Sequence, residues 1–271
     1  MSNYNEKLKN ISSKNKSNLV IGLDTDLSKL PTFILRFNHP VSEFNKLIIE
    51  STKNIVVGYK LNVAFYECLG EEGIKGIRDA MNIIPADMLK ICDAKRGDID
   101  TSAEMYARTY FDIYNFDSIT LSPYMGEDAV RPFLERENKL VYILALTSNS
   151  GHKDFQKLKV GDKYLYEEII RKSLLWEKDN NIGFVFGANH TNEIKLFTAF
   201  NPQNSLLIPG IGAQANDLKE LMNSLKSSDN YVINSSRAII YSAKKDSNEK
   251  EFTDAVRESA VKLNQEINSL K

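Results

Sequence analysis

Short apolar runs alternate with longer stretches of helical periodicity along most of the chain. The apolar runs fall at Asn18–Asp24, Asn54–Lys60, Met88–Ala94, Ser118–Leu121, Leu140–Leu146, Ile182–Phe186, Ser205–Ile208 and Tyr231–Asn234. They are nearly continuous, the pattern of strands buried on both faces. Between them, Phe44–Thr52, Thr101–Asn115, Tyr164–Lys178, Asn192–Ala199, Asp217–Leu225 and Asn248–Ile267 read as helices. In the first of these, Phe44, Leu47 and Ile48 recur at helical spacing. Eight strands alternating with helices predict an α/β fold, a parallel sheet covered by helices. At 271 residues the closed (β/α)8 TIM barrel is the leading architecture. An open doubly wound sheet is second, because no Gly-x-Gly-x-x-Gly turn follows the first run. The expected organisation is a polar N-terminal extension over residues 1–18 and a single barrel domain over 19–271.

Composition changes this picture little. Hydrophobic residues make up 42% and charged residues 26%, as in ordinary soluble proteins. With a net charge of −1, neither nucleic acid nor an anionic membrane is an expected partner. A local basic pocket for one anion is compatible with that balance. Two cysteines, Cys68 and Cys92, cannot make a disulfide framework, and no Cys/His cluster has zinc spacing. Reduced thiols, a cytoplasmic location and no metal site are therefore expected. The Lys/Asn-rich start lacks the apolar core of a secretory signal. No apolar run approaches the ~18 residues of a membrane span.

In such barrels the chemistry sits where strands end and loops begin. The richest strand end is Asp93-Ala94-Lys95-Arg96-Gly97-Asp98, four charges closing an apolar run. Strand alternation puts Ile91, Asp93 and Lys95 on one face, with Cys92 and Ala94 on the other. A carboxylate and an ammonium together are costly to bury unless paired or used. The bland alternative is a strand end whose charges are solvated. Other ends are polar too: Gly22-Leu23-Asp24, Tyr59-Lys60-Leu61-Asn62, Leu121-Ser122-Pro123-Tyr124, Thr147-Ser148-Asn149, Pro209-Gly210-Ile211-Gly212-Ala213-Gln214 and Asn234-Ser235-Ser236-Arg237. That recurrence favours function over solvation at Asp93–Asp98.

The seventh and eighth ends suggest a phosphate site. Gly210 and Gly212 let backbone N–H groups approach an anion, and Gln214 adds a donor. Ser235, Ser236 and Arg237 offer hydroxyls and a guanidinium fork. A glycine turn and a helix cap with a surface arginine is the plainer alternative. Elsewhere, His39, His152 and His190 share no ligand spacing and are expected in loops or at the surface, with His152 near a lid as a lesser reading. Cys92 reads as a small core residue and Trp176 as a packing residue.

Taken in order, these motifs resemble orotidine 5′-phosphate decarboxylases of the bacterial type with Asp-x-Lys-Arg-Gly-Asp-Ile. The resemblance runs from about Val20 to Tyr241 and includes Gly22-Leu23-Asp24-Thr25-Asp26, Lys60-Leu61-Asn62-x-Ala64-Phe65-Tyr66-Glu67 and Asp93-Ala94-Lys95-Arg96-Gly97-Asp98-Ile99. It implies a (β/α)8 barrel, a homodimer with shared sites, and no metal or organic cofactor. The implied reaction converts orotidine 5′-monophosphate to uridine 5′-monophosphate and CO2. Lys60, Asp93 and Lys95 would form the catalytic charged array, and Asp98 would reach the neighbouring subunit's site. Asp24 and Lys60 would hold ribose hydroxyls. Ser122 and Thr147 would contact the pyrimidine, and Pro209, Gly212, Gln214 and Arg237 would surround the phosphate. Ser102 stands where relatives carry Thr and keeps the hydroxyl. Ala215-Asn216 and Ser150-Gly151 replace Gly-Gly and Pro-Gly, beside candidate lids at Ala213–Asp217 and Ser148–Gly161. Two rivals remain open here. One is a Mg-dependent sugar-phosphate decarboxylase on the same barrel; the other is a non-catalytic phosphate-ligand-binding barrel.

Overall fold

Each apolar run becomes a strand. In the computed structural model, which describes residues 3–210 and 215–271, the strands are β1 (Leu19–Gly22), β2 (Gly58–Asn62), β3 (Leu89–Arg96), β4 (Ser118–Leu121), β5 (Leu140–Leu146), β6 (Ile182–Phe186), β7 (Leu206–Pro209) and β8 (Tyr231–Ser235). They form a closed barrel in the order β1-β8-β7-β6-β5-β4-β3-β2. Pairing is parallel for β1 with β2, β2 with β3, β4 with β5, β5 with β6 and β6 with β7. β1, β4 and β6 are buried along their whole length, which explains apolar runs without alternation.

The longer helices are α1 (Tyr4–Asn15), α2 (Pro40–Thr52), α3 (Glu71–Ile83), α4 (Asp100–Ala107), α5 (Leu165–Trp176), α6 (Thr191–Phe200), α7 (Ala215–Ser224) and α8 (Glu249–Ser269). Residues 1–18 were expected as a polar extension; α1 occupies most of that span, and its Tyr4, Leu8 and Ile11 are buried. The helix expected over Thr101–Asn115 is α4 followed by a π-helical turn at Arg108–Ile113, where the Tyr114 N–H donates to the Thr109 carbonyl at 3.0 Å.

Contacts divide the chain into two compact units, one of Lys7–Asp93 and Asn234–Leu270, the other of Ala94–Ile233 with Met1–Glu6 and Lys271. In the first, α2 packs on α3 and α8. Proline occupies the first turn of α2, where its missing N–H costs nothing. Phe44 of α2 is buried against Phe252 of α8, ring centroids 5.4 Å apart. An Asn248–Glu251 capping box starts α8. In α3 a Cβ on Gly73 would lie 1.8 Å from the Tyr66 carbonyl oxygen, and one on Gly76 would lie 2.6 Å from Val41. Close helix packing requires glycine at both positions. In the second unit, β5 and β6 carry the core. There the Tyr142 hydroxyl hydrogen-bonds Ser205 at 2.8 Å and Tyr4 at 3.0 Å.

Candidate active site

Strand register assembles three charges. In β1 and β2, Gly22 is opposite Lys60; in β2 and β3, Lys60 is opposite Ile91. Two residues further along each neighbour stand Asp24 and Asp93, on the same face one pleat higher. The long Lys60 side chain rises between them. Its Nζ lies 3.0 Å from Asp93 Oδ2, a hydrogen bond, and 3.6 Å from Asp24 Oδ1. The Lys60 side chain is 4% exposed, that of Asp93 12% and that of Asp24 16%. Burial alone would push the Lys60 ammonium toward losing its proton. The adjacent Asp93 and Asp24 carboxylates outweigh burial and hold its pKa above 10.5. Lys60 is therefore a fixed, protonated cation at neutral pH.

The neighbouring β8 end is built to close tolerance. A Cβ on Gly22 would fall 1.9 Å from Ser236 Oγ, so Gly22 makes room for that side chain. Asn234 is buried and its Nδ2 contacts Ser236 Oγ at 3.3 Å, while its Oδ1 has no hydrogen-bond partner among the described residues. Arg237 follows, exposed, at the start of the short helix Arg237–Ile240.

The other unit carries the remaining predicted residues. Lys95, near the end of β3, is exposed and has φ of 50°, in the left-handed region. Strand alternation, expected to run through Lys95, therefore ends at Ala94. A left-handed non-glycine residue costs ~1–2 kcal/mol and persists where its surroundings hold it. Here the Lys95 N–H donates to the buried Thr120 hydroxyl at 3.0 Å. Arg96 turns back to the helical aromatics: it donates to the Tyr110 hydroxyl at 2.8 Å and lies 4.9 Å from the Tyr106 ring centroid. Asp98 is exposed and accepts from the Ile99 N–H at 2.8 Å. Ser102 is exposed in the first turn of α4. The Ser122 N–H donates to the Arg96 carbonyl at 2.7 Å, and Gly97 leaves room for this contact.

Thr147, just past β5, sits in a neutral network. Gln156 accepts from its N–H at 2.8 Å and donates to its hydroxyl at 2.9 Å. That hydroxyl donates to Asn149 Oδ1 at 2.6 Å. His190 Nε2 bonds the Thr147 carbonyl at 2.9 Å and His152 Nδ1 the Asn149 carbonyl at 2.7 Å. Both rings are buried and meet edge-on, 4.9 Å apart, which corrects a surface position for either; His190 does stand in the loop before α6, and His152 lies within the Ser148–Gly161 segment at the start of a short helix, His152–Phe155. Burial holds the His190 pKa below 6.5, so the ring stays neutral at physiological pH. His39 does lie outside, paired with Glu72 at 3.0 Å. The β6 end, absent from the predicted set, joins this loop. A Cβ on Gly187 would come within 2.8 Å of Ser148 Cα, and the Gly187 N–H donates to the Leu146 carbonyl at 2.8 Å. Pro209 ends β7 half-buried, and Gly210 follows with φ of 91°. Gly212, Gln214 and Ala213 of the second candidate lid lie outside the described residues.

Comparison with known proteins fits this geometry. The profile of the Orotidine 5'-phosphate decarboxylase / HUMPS family matches residues 17–252. The chain belongs to that family. It is 45% identical over 234 residues to the orotidine 5′-phosphate decarboxylase of Christiangramia forsetii, covering 85% of this chain and 86% of the relative. Identity to the Dehalococcoides mccartyi enzyme is 40% over 269 residues, covering 97% and 96%. Among solved structures, that of Leishmania donovani OMP decarboxylase superposes with a TM-score of 0.82 at 33% identity, covering 99% of this chain and 98% of that one. The family's eight-stranded barrel is thus present nearly end to end, and Asp24, Lys60, Asp93, Lys95 and Arg237 all fall inside the matched span.

Proposed function

We propose that this chain decarboxylates orotidine 5′-monophosphate to uridine 5′-monophosphate and CO2, as its curated relatives' shared name indicates, and that the strand-end residues carry the reaction. The observation behind this reading is the buried Lys60, clasped by Asp93 at 3.0 Å and Asp24 at 3.6 Å. Loss of CO2 from C6 of the pyrimidine breaks a carbon–carbon bond and leaves the electron pair on a carbon with no adjacent carbonyl. Charge fixed before the reaction is then the available stabiliser. Lys95 pairs with the developing carbanion and gives its ammonium proton to C6; water restores that proton afterwards. Asp93 faces the substrate carboxylate, and Lys60 holds Asp93 in place. Asp98 of the partner subunit completes the array in a homodimer. Asp24 and Lys60 take the ribose hydroxyls, and Ser102 supports them. Ser122 and Thr147 take the pyrimidine. Pro209, Gly212, Gln214 and Arg237 take the phosphate, whose remote binding energy closes the Ser148–Gly161 and Ala213–Asp217 lids over a dry site. A cytoplasmic location belongs to the same reading; among the described residues no helix is long and apolar enough to cross a membrane.

The family name also covers HUMPS, so it does not alone choose the substrate. The relatives at 40–45% identity that carry the decarboxylase name favour orotidine 5′-monophosphate over a sugar phosphate. Purified protein mixed with orotidine 5′-monophosphate should show the ultraviolet change of decarboxylation, at the same rate with and without EDTA. Loss of the rate in EDTA would point to the magnesium-dependent alternative. Tight binding of uridine 5′-monophosphate without turnover would point to a ligand-binding barrel.

A further inference from the structure

The loop Leu23–Asp26 carries Asp24 beyond β1, and two tyrosine hydroxyls grip it. Tyr66, fully buried, donates to the Leu23 carbonyl at 2.7 Å and accepts from Asn45 Nδ2 at 3.1 Å. The other end of that amide, Asn45 Oδ1, accepts from the Thr25 hydroxyl at 2.8 Å. Tyr241 donates to the Asp24 carbonyl at 2.9 Å and accepts from the Asp26 N–H at 2.7 Å. Its ring is stacked on the buried Phe44, centroids 5.7 Å apart. Its backbone N–H donates to the Arg237 carbonyl at 3.2 Å, so the turn bearing Arg237 and the loop bearing Asp24 meet at one residue. Burial pushes the Tyr241 hydroxyl up to about 12, which keeps it a donor at neutral pH.

The Asp24 carboxylate is otherwise loosely held. Its approach to Lys60, 3.6 Å, is longer than a hydrogen bond, and Oδ1 is buried with no hydrogen-bond partner among the described residues. Where that oxygen stands is therefore set by the backbone, which the two hydroxyls hold together with the Leu23 N–H bond to the Lys60 carbonyl at 2.8 Å. We propose that Tyr66 and Tyr241 are positioning residues that act through Asp24, fixing its carboxylate for the substrate and tying it to the Arg237 turn. This deepens the proposed function and rests on it.

The test is a double-mutant cycle on Tyr241→Phe and Asp24→Asn, which keeps ring packing and side-chain shape. The readouts are kcat and KM for orotidine 5′-monophosphate and the dissociation constant of uridine 5′-monophosphate. Tyr241→Phe alone should lower kcat/KM by about 10- to 100-fold, the scale of a misplaced contact group. Most of that loss should appear in KM and in product affinity. In the Asp24→Asn background the same substitution should change kcat/KM by less than about threefold. Equal factors in both backgrounds, or an unchanged kcat/KM in Tyr241→Phe, would overturn the proposal while leaving the proposed function standing. A wild-type protein that neither turns over nor binds these nucleotides overturns the proposed function, and this inference falls with it. Should Tyr241→Phe fail to fold, Tyr66→Phe enters the same cycle with the same expectations.

Discussion

Around β1 and β2 the strand-end contacts are ionic and buried; around β5 and β6 they are neutral and half open. In the first unit, register delivers Lys60 between two carboxylates, and nearly all of its side chain is out of water. In the second, Thr147 is held by an amide, and two imidazoles bond backbone carbonyls. Buried charges must be complete to be tolerable, because each one's desolvation is offset only by its partners. Neutral hydrogen bonds lose little when one is broken and can be remade against a ligand. Taken separately, the first set suits fixed charge and the second suits contacts remade against a ligand, which is what the proposed chemistry asks of each. Fixed charge must precede the reaction, and the ring and lid contacts must form and release each cycle.

Three experiments can break or sharpen that contrast. Lys60→Ala should be the most damaging, because it removes the buried cation between Asp24 and Asp93. We expect a loss of ~3–5 kcal/mol in urea or thermal unfolding. A loss under ~1 kcal/mol would mean that the array is solvated and the contrast is false. Gln156→Ala should cost less, ~1–2 kcal/mol, since it removes two neutral bonds at a half-exposed site. A cost equal to that of Lys60→Ala would erase the distinction.

The smallest effects lie in the pH dependence, and their signs are opposite. The folded pKa of Lys60 is raised, so its contribution is complete below 10.5 and is lost as pH rises through the folded value. The stability margin of wild type over Lys60→Ala should narrow on the alkaline side. The folded pKa of His190 is lowered, so its contribution is complete above 6.5 and is lost as pH falls through the folded value. The margin of wild type over His190→Gln should narrow on the acid side. Parallel pH profiles for wild type and either variant would show that the group does not titrate as its surroundings dictate.

Much of the fold was legible, for a simple reason. Strands buried on both faces write themselves as apolar runs, and β4, β5 and β6 begin and end where those runs do. The strand-end positions of Asp24, Lys60 and Asp93 were legible as well, because each closes an apolar run, though their grouping around Lys60 was not. What escaped has identifiable causes. In α3, Gly73 and Gly76 weaken helical propensity by ~1 kcal/mol each and mask the pattern. They are there because Tyr66 and Val41 press against the helix. In α1, Tyr4, Leu8 and Ile11 keep an i, i+4, i+7 stripe that the surrounding Lys and Asn residues obscured. The backbone turn at Lys95 left no trace, since a left-handed φ in lysine follows from tertiary context. Tyr66, Tyr241 and Gln156 were equally silent. Each makes a contact to main chain distant in sequence or across a loop, and no spacing rule marks a hydroxyl or an amide that will find a particular backbone group. His190 did carry a signal, the polar Gly187-Ala188-Asn189-His190 that closes β6 as other polar segments close their strands.

The central claim of the proposed function is that the Lys95 ammonium supplies the charge and the proton for decarboxylation without help from a cofactor. Single-turnover kinetics of Lys95→Ala with saturating orotidine 5′-monophosphate test it most directly, on protein whose unfolding midpoint matches wild type. The account predicts that the chemical step slows by at least ~10²–10³-fold while uridine 5′-monophosphate still binds. A chemical step within a few-fold of wild type would contradict it.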